Sequence, residues 1–505
     1  MKRLLSAALL AASLVAHPLG AQETVDRDMV ARIRAEGFQD SHVMETLSWI
    51  SDVYGPRLTG SENYRKAAEW ARDRMTRWGL ADAHLEAWGD FGPAWSVERF
   101  SVEMVAPTYD RIVAYPSAWT PSTSGTVRGT PVRVDISSPA DFDRYRGTLK
   151  GAIVMLGKPS RPRDPFKAPS SRFSDAELAE MAAATDPGEP RDYASEEKEW
   201  YEIMENAGRT MDFLHDEGIA ALLQPSRTDD EVLSVSGLGN YLHPRALFPA
   251  FVISKEQYGR ISRLLDKEVP VTLELSLTTH FDSTDTKGYD IVAEIPGTDP
   301  ALEDQLVMLG GHFDSWHSGT GATDNGAGSA VAMEAVRILE RLGVRPRRTI
   351  RIGLWGGEEQ DYYGSAGYVR NHFGDPMTGT ATPAAAKVSA YFNLDNGSGR
   401  IRGVYLQGNE RVRPIFRAWL APFADLGAST LTVKNTGGTD HMSFHAVGIP
   451  AFQFIQDPLD YDTRRHHTNL DVYEAASEED LQQAAVILAT FVYQAAIRDE
   501  MLPRR

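Results

Sequence analysis

The chain has 505 residues, with 52 Lys or Arg and 70 Asp or Glu, so its formal net charge is −18. Hydrophobic residues make up 42% and charged residues 24%, which is typical of a globular protein and excludes intrinsic disorder, collagen and a coiled coil. The acidic balance argues against nucleic acid and anionic membranes as partners. Because the chain has no cysteine, it has no disulfides, no thiolate metal site and no cysteine nucleophile.

The first residues have the three-part layout of a secretory signal peptide. A positively charged start at residues 1–3 precedes an apolar run over residues 4–16, and the sequence turns polar after Ala21. The apolar run is too short to cross a bilayer comfortably. We therefore expect residues 1–21 to be removed, leaving a secreted or periplasmic protein without a membrane segment.

Residues 22–108 are predicted to mix helices and strands. A helix is predicted over residues 26–47, followed by a turn-rich loop at residues 54–61 and an amphipathic helix over residues 63–78 that ends at Gly79. Two strand patterns come next, at residues 83–88 and 100–105. We assign this region to the first part of the main domain.

Residues 109–276 are predicted to form a separate, inserted β-rich domain, because short apolar strands alternate with loops there. Strand patterns at residues 152–156 and 219–223 enclose a helix predicted over residues 206–218. The acidic segment 174–200 contains two prolines and a glycine, which predicts an exposed insertion. Two interpretations of this segment stay open, a lid over the site and a solvated loop. We expect the whole region to be dispensable for metal binding but not for substrate choice.

Residues 277–505 alternate strands with helices, which predicts an α/β fold with a mostly parallel sheet and helices on both faces. Helices are predicted over residues 329–342 and 478–501. The predicted strands are at residues 291–295, 305–309, 349–355, 388–394 and 451–455. In such a sheet, ligands bind beyond the carboxyl ends of the strands.

Imidazole and carboxylate side chains follow several of these strands. Zinc accepts both ligand types, and two ions about 3.5–4 Å apart need one shared ligand. A shared acid plus one histidine and one acid for each ion requires two histidines and three acids. The residues that match this requirement, with Glu358 left over, are His312, Asp324, Glu359, Asp395 and His467.

Each of these features is common by itself: a strand-end histidine is usually structural, and a Glu-Glu pair is usually solvated. Their combination at strand ends, flanked by glycines that allow close approach of the backbone, favours a metal site. Asp314 follows His312 by two residues and points the same way along a strand. It is therefore placed to hold the other imidazole nitrogen of that histidine.

Taken together, the motifs resemble the co-catalytic zinc exopeptidases of peptidase family M28, nearest to the carboxypeptidase Q-like members with an inserted protease-associated domain. The resemblance covers nearly all of the chain after the signal peptide. The segments that carry it include Gly55-Pro56-Arg57-Leu58-Thr59-Gly60-Ser61, Gly311-His312-Phe313-Asp314, Thr323-Asp324-Asn325-Gly326, Gly357-Glu358-Glu359, Asn393-Leu394-Asp395 and His467-Thr468.

The resemblance implies two Zn²⁺ ions per chain, bridged by Asp324. His312 and Asp395 would complete one ion, and Glu359 and His467 the other. It also implies a cis peptide bond between Asp324 and Asn325.

The resemblance further implies that Glu358 is the general base and that Asp314 orients His312. Some members carry a tyrosine before the final histidine to stabilise the oxyanion, whereas this chain has His466 there. We expect His466 to supply that hydrogen bond.

The expected activity is metal-assisted hydrolysis of short peptides or dipeptides, and the recognised terminus stays open. Arg464 and Arg465 suit a carboxylate, whereas Asp440 suits an ammonium group, and an aminopeptidase is favoured. A homodimer is also left open.

Two other functions in the same fold are weighed. A non-catalytic, receptor-like member is disfavoured because every ligand position and Glu358 are present. A glutaminyl-cyclase-like acyl transferase is disfavoured because those proteins lack the inserted domain.

Overall fold

The computed structural model describes residues 23–189, 193–238 and 248–505. The predicted signal peptide therefore lies outside the described residues. In the part of the chain that is described, no helix combines the length and the apolar composition needed to cross a bilayer.

The helices and strands alternate along most of the chain. The α-helices are α1 (Arg27–Gln39), α2 (Val43–Ser48), α3 (Glu62–Trp78), α4 (Asp175–Ala183), α5 (Tyr193–Asp216), α6 (Lys255–Leu265), α7 (Ala327–Arg341), α8 (Tyr363–His372), α9 (Arg413–Leu420), α10 (His441–Ala446) and α11 (Glu478–Ile497). The strands are β1 (Ala81–Asp90), β2 (Ala94–Ala106), β3 (Asp110–Arg111), β4 (Ala114–Pro116), β5 (Val127–Gly129), β6 (Pro131–Val134), β7 (Ile153–Leu156), β8 (Ala221–Pro225), β9 (Ala250–Ile253), β10 (Thr272–Asp282), β11 (Lys287–Ile295), β12 (Leu306–His312), β13 (Thr349–Trp355), β14 (Gly374–Asp375), β15 (Thr380–Ala381), β16 (Val388–Asn393), β17 (Ile401–Tyr405), β18 (Thr430–Thr432) and β19 (Ala451–Gln456).

The main sheet has eight strands in the order β1-β11-β13-β12-β16-β19-β17-β18. Its four central strands, β13, β12, β16 and β19, are parallel neighbours. Antiparallel pairs join β1 to β11, β11 to β13 and β17 to β19. The prediction of a mixed, mostly parallel α/β sheet is confirmed, and the carboxyl ends of the central strands meet at one edge.

Both faces of this sheet are covered by helices. Val307 and Leu309 point into one apolar cluster with α7 and α11, whereas Met308 points into another with α8 and α10. Alternate residues of a strand face opposite sides, so the central strands are buried on both faces. This burial explains why they read as continuous apolar runs in the sequence.

A second sheet, of five strands in the order β4-β9-β8-β7-β6, lies within the predicted inserted region. One face packs against the long antiparallel strands β2 and β10 and contributes Met155 and Leu223 to the shared cluster. The other face contributes Val154 and Leu222 to a cluster with α5. The predicted boundary at residue 276 falls inside β10, and the domain limits stay a prediction.

The α3 helix illustrates how local sequence sets the ends of an element. The Ser61 hydroxyl accepts the backbone N–H of Tyr64 at 3.1 Å and caps the amino end. Gly79 ends the helix in a left-handed conformation with φ of 104°. The prediction of a helix ending at Gly79 is confirmed.

Some predicted elements differ from the structure. The helix predicted over residues 26–47 is two helices, because Arg337 donates to the Asp40 carbonyl at 2.7 Å and Glu334 accepts the His42 N–H at 3.1 Å. Non-local contacts thus break a locally helical sequence. The C-terminal helix ends at Ile497, before the predicted residue 501.

The acidic segment 174–200 is also more ordered than predicted. It contains α4 and the first turns of α5, which begins at Tyr193 and includes the helix predicted over residues 206–218. The Ser174 side chain and Glu177 form a capping box at the start of α4. The prediction of an exposed insertion named no helices in this segment, where helix formers outweigh the turn residues, and most of its described side chains are exposed or half-buried.

Candidate metal centre

The parallel strands bring the predicted site residues to one edge of the main sheet. His312 ends β12, the Glu358-Glu359 pair follows β13, and Asp395 follows β16. The loop after β19 adds His466 and His467, and Asp324 lies just before α7. Segments far apart in sequence meet here because the carboxyl ends of neighbouring parallel strands coincide.

The two carboxylate oxygens of Asp324 face two different histidines. Asp324 Oδ1 lies 3.3 Å from His312 Nε2, and Asp324 Oδ2 lies 3.3 Å from His467 Nε2. Asp395 Oδ1 lies 3.4 Å from the same nitrogen of His312. Glu359 Oε2 lies 2.9 Å from His467 Nε2. Asp324 therefore stands between two histidine–carboxylate pairs.

The peptide bond between Asp324 and Asn325 is cis, as the resemblance implies. The Asn325 side chain donates to the Leu394 carbonyl at 2.9 Å and accepts the Gly328 N–H at 3.1 Å. These contacts join the Asp324 loop to the segment that carries Asp395.

Asp314 supports His312 and the glutamate pair together. The His312 Nδ1 atom lies 3.1 Å from the Asp314 carbonyl oxygen and 3.4 Å from its Oδ1. The Asp314 carboxylate accepts the Thr59 hydroxyl at 2.8 Å and the backbone N–H groups of Glu358 and Glu359 at 3.3 Å each. With Nδ1 held by these acceptors, the Nε2 lone pair is directed at the cluster of carboxylates.

The donor set fits divalent cations. Three groups of side chains each place one donor atom within 4.8 Å of the others: Asp324 with His466 and His467, His312 with Asp324 and Glu359, and His312 with Glu358 and Asp395. Asp324 Oδ2 and Asp395 Oδ1 are buried, and no hydrogen-bond partner for either lies among the described residues. Buried carboxylates with open lone pairs are costly unless a cation binds them.

Burial dominates the proton equilibria of the cluster. It raises the pKa of Glu358 well above its ordinary value, an effect opposed by His312 and reinforced by Asp395. Burial and the charge of Asp324 likewise raise the pKa of Glu359. Burial lowers the pKa of His467 to about 4. At His312, burial lowers the pKa, but Glu358 and Asp395 outweigh it and raise the pKa well above its ordinary value. The crowded acids therefore form a site that is completed by positive charge.

Two further side chains brace the loop that carries Asp324. The Asp471 carboxylate accepts the Thr323 N–H at 2.6 Å and the Asp324 N–H at 3.2 Å. The fully buried Arg57 donates to the carbonyls of Phe313 at 2.6 Å and Gly321 at 2.9 Å. Arg57 belongs to the early motif of the sequence analysis, whereas Asp471 was missed because an isolated acid carries no sequence signal.

A cavity of about 350 Å³ opens over the cluster. Its lining includes Glu358, Asp361 and Asp395, together with Tyr461 and Trp200. Tyr461 and Trp200 were missed in the sequence analysis. The spacing of Tyr461 from the final histidine could have suggested it, whereas Trp200 comes from α5 and had no local signal.

His466 borders the cluster more loosely than its neighbour. Its Nε2 lies 3.8 Å from Asp324 Oδ2, and its side chain is 40% exposed. Its ring centroid lies 3.7 Å from that of His467 and 5.0 Å from that of Tyr461. Burial and the nearby His467 lower the pKa of His466 to about 4, which favours a neutral ring that can donate one N–H.

The side chains that the sequence offered for terminus recognition have other surroundings. Arg465 binds Asp460 at 2.9 Å and donates to the Leu470 carbonyl at 2.7 Å. Arg464 lies 3.7 Å from Asp230, and Asp440 is fully buried. None of the three lines the cavity over the cluster.

The sequence of this chain is similar to those of known peptidases. The model of "Peptidase family M28" matches residues 290–492. Carboxypeptidase Q of Mus musculus is 25% identical over 483 residues, which are 94% of this chain and 90% of the relative. Aminopeptidase YwaD of Bacillus subtilis is 28% identical over 269 residues, which are 51% of this chain and 53% of the relative.

Solved structures share the fold. A peptidase M28 precursor from Shewanella amazonensis superposes with a TM-score of 0.68 at 21% identity, covering 95% of this chain and 98% of that one. A zinc aminopeptidase from Bacillus subtilis superposes with a TM-score of 0.57 at 20% identity, covering 91% of this chain and 95% of that one. At these identities the likeness extends to the fold alone.

Proposed function

We propose that this chain, whose residues 290–492 match the model of peptidase family M28, is an exported di-zinc exopeptidase that hydrolyses the peptide bond of short peptides or dipeptides. The observation that carries this proposal is the position of Asp324. Its two oxygens each lie 3.3 Å from the Nε2 atom of a different histidine. That disposition suits a carboxylate shared by two ions.

We assign one zinc ion to His312 and Asp395 and the other to Glu359 and His467, with Asp324 shared. This donor set of two imidazoles and three carboxylates suits zinc. Zinc held there supplies Lewis-acid chemistry that polarises a carbonyl and makes water acidic near neutral pH. The two relatives named above are called a carboxypeptidase and an aminopeptidase, so the family is compatible with either terminus.

Glu358 is the proposed general base. It is not assigned as a ligand, yet it lines the cavity, and its Oε2 lies 3.9 Å from His312 Nε2. The Glu358 carboxylate takes the proton of the attacking water and passes it to the nitrogen of the leaving amine as the C–N bond breaks. Asp314 positions this group by accepting its backbone N–H.

The developing oxyanion needs a hydrogen-bond donor. His466 remains the predicted donor, and Tyr461 lines the same cavity with a hydroxyl. A neutral imidazole N–H or a phenol O–H at this position stabilises the oxyanion more than the starting carbonyl.

We further propose that residues 109–276 are an inserted protease-associated domain between two parts of the peptidase domain, residues 22–108 and 277–505. Removal of residues 1–21 after Ala21 and export remain part of the proposal. A homodimer stays an open prediction.

The test of the proposed function is zinc-dependent cleavage of Ala-Ala by the purified protein. Chelation should abolish cleavage, and restoring two zinc ions per chain should recover it. The Asp324→Ala variant should bind fewer than two ions. Full occupancy of both sites in that variant would overturn the shared-ligand assignment, and no cleavage of any di- or tripeptide by the zinc-loaded protein would overturn the activity.

A further inference from the structure

A second cavity borders the candidate metal centre. It has a volume of about 350 Å³ and shares Trp200, Glu359 and His467 with the cavity described above. Much of the rest of its lining comes from the inserted sheet and the loop after β8, including Arg227 and Ser234. Two cavities of residue size therefore meet at two of the proposed zinc ligands.

The two cavities differ in charge. Within the described part of the chain, the first is lined by six carboxylates and by no lysine or arginine: Asp324, Glu358, Glu359, Asp361, Asp395 and Asp462. The second is lined by Arg227 and by one carboxylate, that of Glu359. A small zwitterion would lie across them with its ammonium group towards the acids and its carboxylate towards the arginine.

Most of the N–H groups of the Arg227 guanidinium are available to bind a ligand. Its Nε atom donates to the Ser234 hydroxyl at 2.8 Å. Among the described residues, no carboxylate lies within 4.0 Å of its nitrogen atoms. Arg464 and Arg465, in contrast, lie beside Asp230 and Asp460 and do not line the second cavity.

Backbone pairing fixes Arg227 relative to the proposed zinc ligand. Ser234, which receives the Arg227 Nε–H, forms an antiparallel bridge with Thr468. The Val235 N–H donates to the His467 carbonyl at 2.9 Å. The guanidinium is thereby held near the metal centre before any substrate binds, which lowers the entropic cost of binding.

We propose that Arg227 binds the terminal carboxylate of the residue on the leaving-amine side of the scissile bond, so that free dipeptides are preferred. This inference rests on the proposed function. The planar guanidinium offers two parallel N–H groups that match a carboxylate. The inserted domain, through this one residue, supplies the group that binds the carboxyl end of the substrate.

The experiment compares Ala-Ala with Ala-Ala amide in the zinc-loaded full-length protein. Arg227→Gln should lower kcat/KM for Ala-Ala by about 10- to 100-fold, mainly through KM, because a hydrogen-bonded charge pair is lost. Cleavage of the amide should stay within about two-fold of the unchanged protein. Arg227→Lys should recover part of the loss, and the control Arg464→Gln should change neither substrate.

A second readout does not need turnover. Calorimetry with the Glu358→Gln protein should show that Arg227→Gln weakens binding of Ala-Ala and leaves that of the amide unchanged. Equal effects on both ligands, or none on either, would overturn the inference for Arg227 even if the protein is a zinc peptidase. Selective weakening without any cleavage by the unmodified protein would instead support the carboxylate site and reject the peptidase activity.

Discussion

The backbone N–H of Val235 donates a hydrogen bond to the carbonyl oxygen of His467 at 2.9 Å. The same pairing continues through Asn469, whose side chain accepts the Leu233 N–H at 2.7 Å and whose N–H donates to the Leu233 carbonyl at 3.1 Å. His467 has a left-handed backbone with φ of 60°, a conformation that costs a histidine free energy unless its surroundings hold it. The inserted region thus holds a proposed zinc ligand that it does not itself supply.

We therefore expect zinc binding to depend on the inserted region, contrary to the expectation drawn from sequence. Asn469→Ala should weaken zinc affinity by about 10-fold, as removal of supporting contacts around a ligand does. Competition with a fluorescent chelator measures this affinity. The control is Asn435→Ala, which removes contacts at 3.3 and 3.1 Å to the carbonyls of Gly188 and Glu189 instead. Equal affinities in all three proteins would contradict the coupling.

Adjacent glutamates should respond differently to the same substitution. Glu358→Gln should keep two zinc ions per chain and lose turnover by about 10²–10⁴-fold, because a general base is removed. Glu359→Gln should lose zinc, because this side chain lies 2.9 Å from His467 and is assigned as a ligand. Elemental analysis with kinetics on Ala-Ala separates the two effects. If Glu358→Gln retains activity with both ions bound, another residue is the base.

The α5 helix should limit the length of the substrate. Trp200 lines both cavities, and removal of a packed contact worth about 1 kcal/mol changes selectivity about five-fold. Trp200→Ala should raise kcat/KM for Ala-Ala-Ala relative to Ala-Ala by about that factor. Tyr201→Ala is the matched control, because Tyr201 follows Trp200 in the sequence and its side chain is 46% exposed. An unchanged ratio would show that α5 does not restrict the cleft.

Stability should fall in mild acid because of a buried histidine outside the metal centre. Burial lowers the pKa of His317 from 6.5 to about 4, and its Nε2 lies 2.9 Å from the Pro116 carbonyl oxygen. Between these two pH values, His317 binds a proton in the unfolded chain and stays neutral in the folded chain. The neutral ring makes its full contribution to the free energy of unfolding above pH 6.5. This contribution declines by on the order of 3 kcal/mol as the pH falls towards 4.

His317→Gln keeps a donor to the Pro116 carbonyl and removes the titration. The difference in free energy of unfolding between the unchanged protein and this variant, measured in urea, should shrink or change sign between pH 6.5 and 4.5. His280→Gln, at an exposed position, is the control and should leave the profile unchanged. A difference that stays constant with pH would show that His317 does not titrate with unfolding.

The sequence alone predicted the elements whose signals are local. The ends of α3 follow from Ser61 and Gly79, which act on their own helix. The central strands read as apolar runs because both faces of the sheet are buried, and the chemistry-bearing residues directly follow them. For this reason the sequence by itself is enough to predict that His312, Asp324 and Asp395 lie close together.

Only the tertiary structure decided which distant segments touch. The break between α1 and α2 depends on Glu334 and Arg337, and the support of His467 depends on Val235. Arg227 is one of many arginines in the sequence, and it becomes distinctive only because its loop pairs beside the candidate metal centre. Periodicity and caps report interactions within a few residues, whereas these contacts arise when packing brings together segments separated by hundreds of residues.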